Sequence, residues 1–123
     1  MRVLLDTHVL LWALGNDPRL KAQHRDLLSS EAHDVFVSAA TLWEIAIKRA
    51  LGKLTAPEDL QDVLLAAGCR PLPITWAHAE AAGALPPKHA DPFDRLLVAQ
   101  ARVESLTLAT ADASIVAYDV ETV

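Results

Sequence analysis

The sequence predicts an α/β domain built on a mostly parallel sheet with helices on both faces. Short apolar runs that read as buried strands, Val3 to Leu5, Val35 to Val37 and Thr107 to Ala109, alternate with longer stretches of helical spacing. A chain that alternates in this way joins parallel strands through crossover helices, which cover both faces of the sheet. Its 123 residues are close to the usual size of one domain, so a single domain over 1–123 is expected.

Each element has a local reason. Val3 to Leu5 ends at a polar stop, and Thr7 to Leu14 keeps helical spacing until Gly15-Asn16-Asp17-Pro18 breaks it. Leu20 to Ser30 sets Leu20, Leu27 and Leu28 on one side and Lys21, Arg25 and Asp26 around them, the pattern of a surface helix. After the strand at Val35, Ser38 can cap a helix carrying Leu42, Trp43, Ile45 and Ala46, which stops at Gly52. Pro57-Glu58-Asp59 opens another helix, ending at Gly68. Arg70 to Ile74 is extended but holds Pro71 and Pro73, which places it at a sheet edge. Trp76 to Ala84 is helical, ended by Pro86-Pro87. Asp91-Pro92-Phe93-Asp94 starts a helix that runs to about Glu104. Beyond the strand at Thr107, Thr110-Ala111-Asp112 turns the chain and Ile115 to Tyr118 adds a last strand.

A hydrophobic share of 52% with mean hydropathy +0.22 exceeds what so small a globule usually needs, which points to a partner or dimer interface. Cys69 stands alone, so a disulfide or a cysteine-based metal site within the chain is excluded. No basic leader or long apolar stretch occurs, and the expectation is a cytoplasmic protein without membrane contact. The net charge of −5 opposes binding to a polyanion. The conflict eases if the acids cluster where bound cations neutralise them, leaving Lys48, Arg49, Lys53, Lys88 and Arg95 to meet phosphates.

Such a cluster is legible. In open α/β sheets the functional crevice lies beyond the carboxyl ends of the strands, and Asp6, Asp94 and Asp112 each sit past a strand or at a helix start. Glu44 lies in the helix that follows the second strand. Like charges gathered in a partly buried site need protons or cations to offset them, and hard divalent ions with oxygen ligands answer that need. Without a histidine pair at ligand spacing or a cysteine set, Mg²⁺ or Mn²⁺ fits better than Zn²⁺. A metal held by carboxylates activates water and polarises a phosphoryl oxygen, the requirements of phosphodiester hydrolysis.

Plain structural roles compete for every one of these residues. Asp6 and Asp112 could cap helical turns, Asp94 could be a dipole-favoured acid in a first turn, and Glu44 could pair with Lys48 at i+4 on a solvated face. Asp91 is read as the cap of its helix and nothing more. His8 and His89 are read as hydrogen-bonded structural residues, and Trp12, Trp43 and Trp76 as core or interface packing rather than base-stacking platforms.

With these residues in view, the chain resembles the PIN-domain toxins, called VapC, of VapBC toxin–antitoxin systems. Asp6-Thr7-His8 with Leu10-Leu11-Trp12 is similar to the opening motif, and Ser38 through Trp43-Glu44-Ile45 with Lys48 to the second. His89-Ala90-Asp91-Pro92-Phe93-Asp94-Arg95, continuing to Ala99-Gln100-Ala101, resembles the third and most specific, and Thr110-Ala111-Asp112 the fourth. The resemblance implies a three-layer α/β/α sandwich and a Mg²⁺- or Mn²⁺-dependent endoribonuclease. Asp6 and Asp94 become principal metal ligands, Glu44 a ligand or orienter of the metal water, and Asp112 a ligand directly or through water. Thr110 supports them. It also implies a homodimer silenced by a small VapB-type antitoxin whose tail covers the crevice.

Two other classes gather acids at strand ends. A phosphoacceptor receiver module wants adjacent acids near the first strand and a late lysine, whereas this chain has Asp6-Thr7-His8 and no lysine after Lys88. A phosphatase with Asp6 as nucleophile wants a second aspartate two residues on, where His8 stands.

Overall fold

The structure is a computed structural model that describes residues 1–88 and 91–123, so the expectation for His89 falls outside the described residues. The elements are β1 (Arg2–Leu5), α1 (Thr7–Leu14), α2 (Ala22–Ser29), β2 (Asp34–Ser38), α3 (Ala39–Ala50), α4 (Leu60–Ala66), β3 (Arg70–Leu72), α5 (Trp76–Ala84), α6 (Pro92–Val103), β4 (Thr107–Ala109) and α7 (Ala113–Val116). The strands form one sheet in the order β3-β2-β1-β4 with every pairing parallel.

Strand alternation divides the interior into two cores. Val3 and Leu5 of β1, with Val35 and Val37 of β2, face Val9, Leu10, Leu27, Ile45 and Leu64 of α1 to α4. Leu4 and Leu108 face the other way, onto Leu97, Val98 and Ala101 of α6, Leu85 beyond α5, and Ile115 of α7. The three layers follow from chain order. Right-handed crossovers from β1 to β2 to β3 put α1 to α4 on one face, and the return to β4 on the other side of β1 puts α5 and α6 on the opposite face. The direction of winding therefore reverses between β1 and β4.

The boundaries differ from expectation in instructive ways. Gly52 and Gly68, just beyond α3 and α4, take φ of +70° and +86°, a left-handed conformation that glycine adopts without strain. The helix expected to open at Pro57 begins instead at Leu60, with Asp59 at the N-cap position. The proline-containing strand sits at the sheet edge as expected.

The last strand expected at Ile115 to Tyr118 does not form. Asp112 accepts the Ser114 N–H and starts the short turn of α7, and the three-residue spacing puts Ile115 and Tyr118 into one core. The place beside β4 is taken a few residues later. Leu108 N–H donates to Glu121 O at 2.8 Å, Val123 N–H to Leu108 O at 3.0 Å, and Thr110 N–H to Val123 O at 3.1 Å.

Of the core or interface packing expected for the tryptophans, core packing is excluded for two. Trp76 is 90% exposed and Trp43 is 61% exposed, the latter with its ring edge-on to Phe93 at 5.5 Å. Leu51 and Leu65 are exposed as well, so much of the apolar surplus is on the surface. Among the described residues no helix is long and apolar enough to cross a membrane.

Candidate active site at the carboxyl end of the sheet

β1 ends at Leu5, and the next residue, Asp6, is the pivot of the site. Its backbone N–H still pairs with Ala109 O of β4 at 3.0 Å, while its side chain caps α1 by accepting the Val9 N–H at 2.8 Å. The remaining carboxylate oxygen, Oδ2, accepts the Thr110 hydroxyl at 2.5 Å, across the point where the winding reverses. Ligands in open α/β sheets bind at such switch points. Asp6 is only 2% exposed, and burial pushes its carboxyl above the usual carboxylate range. The Thr110 hydroxyl and the Val9 N–H pull the other way, as do His8 and His24 more weakly.

Two threonines extend the site from this pivot. Thr7, held at the start of α1 by its neighbour Asp6, donates its hydroxyl to Glu44 Oε1 at 2.7 Å and lies 3.3 Å from the Thr41 hydroxyl. Glu44 is therefore drawn from α3 to the end of β1, and its other oxygen meets Lys48 Nζ at 2.7 Å. The i+4 pairing read from the sequence is real, but the face is not solvated: Glu44 is buried. On the other side, the Thr110 oxygen accepts the Asp112 N–H at 3.0 Å, while the Asp112 carboxylate caps α7.

Asp94 reaches the same end of the sheet on α6. Asp91 caps that helix, accepting from Phe93 and Asp94 N–H groups at 2.8 and 3.3 Å, so its reading as a cap holds. Gln100 of α6 accepts the Ser38 hydroxyl at the end of β2 at 2.6 Å. Asp94 lies six positions nearer the helix start, about 9 Å along the helix axis. Ser38 caps α3 as expected, accepting the Ala40 N–H.

The structure thus links Asp6 to Glu44 through Thr7 and to the Asp112 turn through Thr110, with the start of α6 above. Among the described residues no three acids, histidines or cysteines stand around one point as a ready ligand cage. The donors are all oxygens, which suits a hard divalent cation, and the buried Asp6 charge is what such a cation would relieve. Several cations expected to meet phosphate are otherwise engaged. Arg95 donates to the carbonyls of Ala82, Leu85 and Pro86, Arg49 to that of Pro57, and Lys88 to that of Ala117.

A buried polar chain behind the site was not foreseen. Gln100 Nε2 lies 3.3 Å from His78 Nδ1, which accepts the Thr75 N–H at 3.0 Å, and His78 Nε2 lies 2.9 Å from Glu104 Oε1. A capping histidine in Thr75-Trp76-Ala77-His78 was the available signal: Thr75 and His78 satisfy each other at the start of α5. Its link to Gln100 depends on how α5 packs on α6.

Comparison with known proteins agrees with this architecture. The PIN domain family model matches residues 3–121. A comparison with curated proteins finds no match. Among solved structures, VapBC2 from Rickettsia felis bound to a promoter DNA fragment is similar, with a TM-score of 0.73 and 17% identity over 100% of this chain and 98% of that one. A toxin–antitoxin complex from Klebsiella pneumoniae gives 0.71 and 19% over 98% and 95%. FitAcB from Neisseria gonorrhoeae gives 0.62 and 24% over 98% and 95%. At these identities the likeness bears on the fold.

Proposed function

The chain belongs to the PIN domain family, whose members are nucleases, and on that premise we propose that it is a VapC-type endoribonuclease, the toxin half of a toxin–antitoxin pair. The single observation that carries the reading is the buried carboxylate of Asp6 at the switch point, tied by Thr7 and Thr110 to the elements that bear Glu44 and Asp112. In this reading 1–123 is one PIN domain. Asp6 and Asp94 are the principal ligands of Mg²⁺ or Mn²⁺, with Glu44 and Asp112 completing the set. When bound, such an ion polarises a phosphoryl oxygen and lowers the pKa of a bound water.

The chain's own residues do the rest. The Val9 N–H and the Thr110 hydroxyl each hold one oxygen of Asp6 and so fix its rotamer. Thr7 holds Glu44 in place, and Lys48 offsets its charge in the metal-free protein. The sheet order 3-2-1-4 is not the 2-1-3-4-5 order of a flavodoxin-like receiver, which favours the nuclease reading over the signalling one.

The similar structure from Klebsiella pneumoniae is a toxin–antitoxin complex, and a small antitoxin is the partner proposed for this chain. Exposed Trp43, Ile47 and Leu51, four residues apart along α3, support a further apolar contact such as a homodimer.

Purified protein incubated with cellular RNA tests the enzyme reading. Cleavage should require Mg²⁺ or Mn²⁺, stop with a chelator, and vanish in Asp6→Asn and Asp94→Asn. Equal cleavage by both variants would refute the mechanism.

A further inference from the structure

We propose that the cleft between α1 and the loop after α3 is the path by which single-stranded RNA reaches the carboxylates. This rests on the ribonuclease reading and adds to it the route of the substrate. The cleft holds about 660 Å³, lined by His8 and Trp12 of α1, Asp17 and Arg19 beyond it, Lys48 at the end of α3 and Lys53 in the following loop.

Charge is the first argument. Arg19 is matched by Asp17 and Lys48 by Glu44, so Lys53 gives the cleft an excess positive charge on a chain whose net charge is −5. A polyanion is attracted by the local sign, and a groove of opposite charge to the bulk concentrates it there.

Stacking is the second. The Arg19 guanidinium lies over the Trp12 ring at 5.3 Å, and the His8 ring lies 5.8 Å from it. Asp17 holds that guanidinium in place through contacts at 2.8 and 3.1 Å. Unstacked bases rest on aromatic rings and on arginine planes, and an A-form duplex keeps its bases from such a ladder.

Position is the third. Lys48 lines the cleft and also touches Glu44 at 2.7 Å, while Thr7, next to His8, donates to that same carboxylate. A strand lying along Lys53 and Lys48 with a base on the Trp12 ladder therefore arrives beside Asp6 and Glu44. Trp43 and Trp76 stand elsewhere, without a cation over either ring among the described residues.

The test separates binding from cleavage. Asp94→Asn protein in EDTA is titrated against a fluorescein-labelled single-stranded RNA of about 12 nucleotides, and anisotropy is read from roughly 50 to 200 mM salt. Lys53→Gln and Arg19→Gln should each weaken binding about three- to tenfold, and Lys53→Gln should flatten the salt slope by about 0.7. Arg102→Gln, an exposed cation on α6 outside the cleft, should change neither. With Trp43→Phe and Trp76→Phe leaving Trp12 as the one tryptophan, its emission should be quenched by the single strand and not by a duplex of the same length. Unchanged affinity in both cleft variants, unmoved Trp12 emission, or equal binding of the duplex overturns the proposal. Cleavage assays distinguish the two readings. Wild-type protein that binds in this way but cleaves no RNA defeats the ribonuclease reading alone, whereas cleavage with an unaltered KM in Lys53→Gln defeats the cleft alone.

Discussion

Replacing Thr110 with valine tests the pivot of the site with the least disturbance. Valine keeps the β-branched shape, so the strand end and the Thr110 N–H bond to Val123 O survive. What disappears is the hydroxyl, which donates to Asp6 Oδ2 at 2.5 Å and accepts the Asp112 N–H at 3.0 Å. A hydrogen bond to a charged group is worth about 1.5–3 kcal/mol, and Thr110 is only 5% exposed, so water does not readily replace the lost donor. For a domain of this size that loss corresponds to a fall in Tm of roughly 6–12 °C near neutral pH.

The sign with pH follows from Asp6. Burial already raises its folded pKa above the ordinary value of 3.8, and removing the Thr110 donor raises it further. The variant's deficit is therefore greatest where Asp6 is charged, and it shrinks as pH falls through the raised folded pKa towards 3.8. Thermal unfolding by circular dichroism at pH 8 and near pH 4 measures both. A change in Tm under about 1 °C at pH 8, or one of equal size at both pH values, would refute the coupling of Thr110 to the Asp6 charge.

Asp6→Asn should raise the Tm of the metal-free protein at neutral pH, because the charged carboxylate opposes folding once the pH exceeds its raised folded pKa, and the gain should vanish below 3.8. In the same melts, Mg²⁺ or Mn²⁺ should stabilise the wild type and leave Asp6→Asn unmoved; stabilisation of both would remove Asp6 from the metal site. Gln100→Ala should lower stability by about 2–4 kcal/mol in denaturant titration, since it strands the Ser38 hydroxyl and opens a void in a fully buried position. Trp76→Ser should shift stability by no more than about 0.5 kcal/mol, as its ring is 90% exposed, and a larger loss would show that the ring packs against something.

The acids and the local punctuation were legible in the chain because they act over a few residues. Asp91 as a cap, Ser38 before α3, the glycines after α3 and α4, and the edge position of a strand holding Pro71 all follow from steric and hydrogen-bonding rules within one turn. The same rules failed at Ile115, where four apolar or small residues suit a strand or a helical turn equally and the Asp112 cap with the waiting core chose the turn. They left core and interface packing open at Trp43 and Trp76, since an apolar helical face does not say whether anything within the chain covers it, and only the structure shows both rings exposed.

By itself the sequence determined the α/β class, the parallel sheet and the order in which the four acids appear, because periodicity and caps are written in neighbouring residues. Tertiary structure alone decided that Thr110, 104 positions from Asp6, closes on its carboxylate, that Thr7 draws Glu44 out of a solvated face, and that Arg95 is occupied by carbonyls while Arg19 lies over Trp12. The Thr110–Asp6 contact joins elements that meet only because the winding reverses beside β1, and a reversal of winding is a property of packed strands that short-range pattern does not encode.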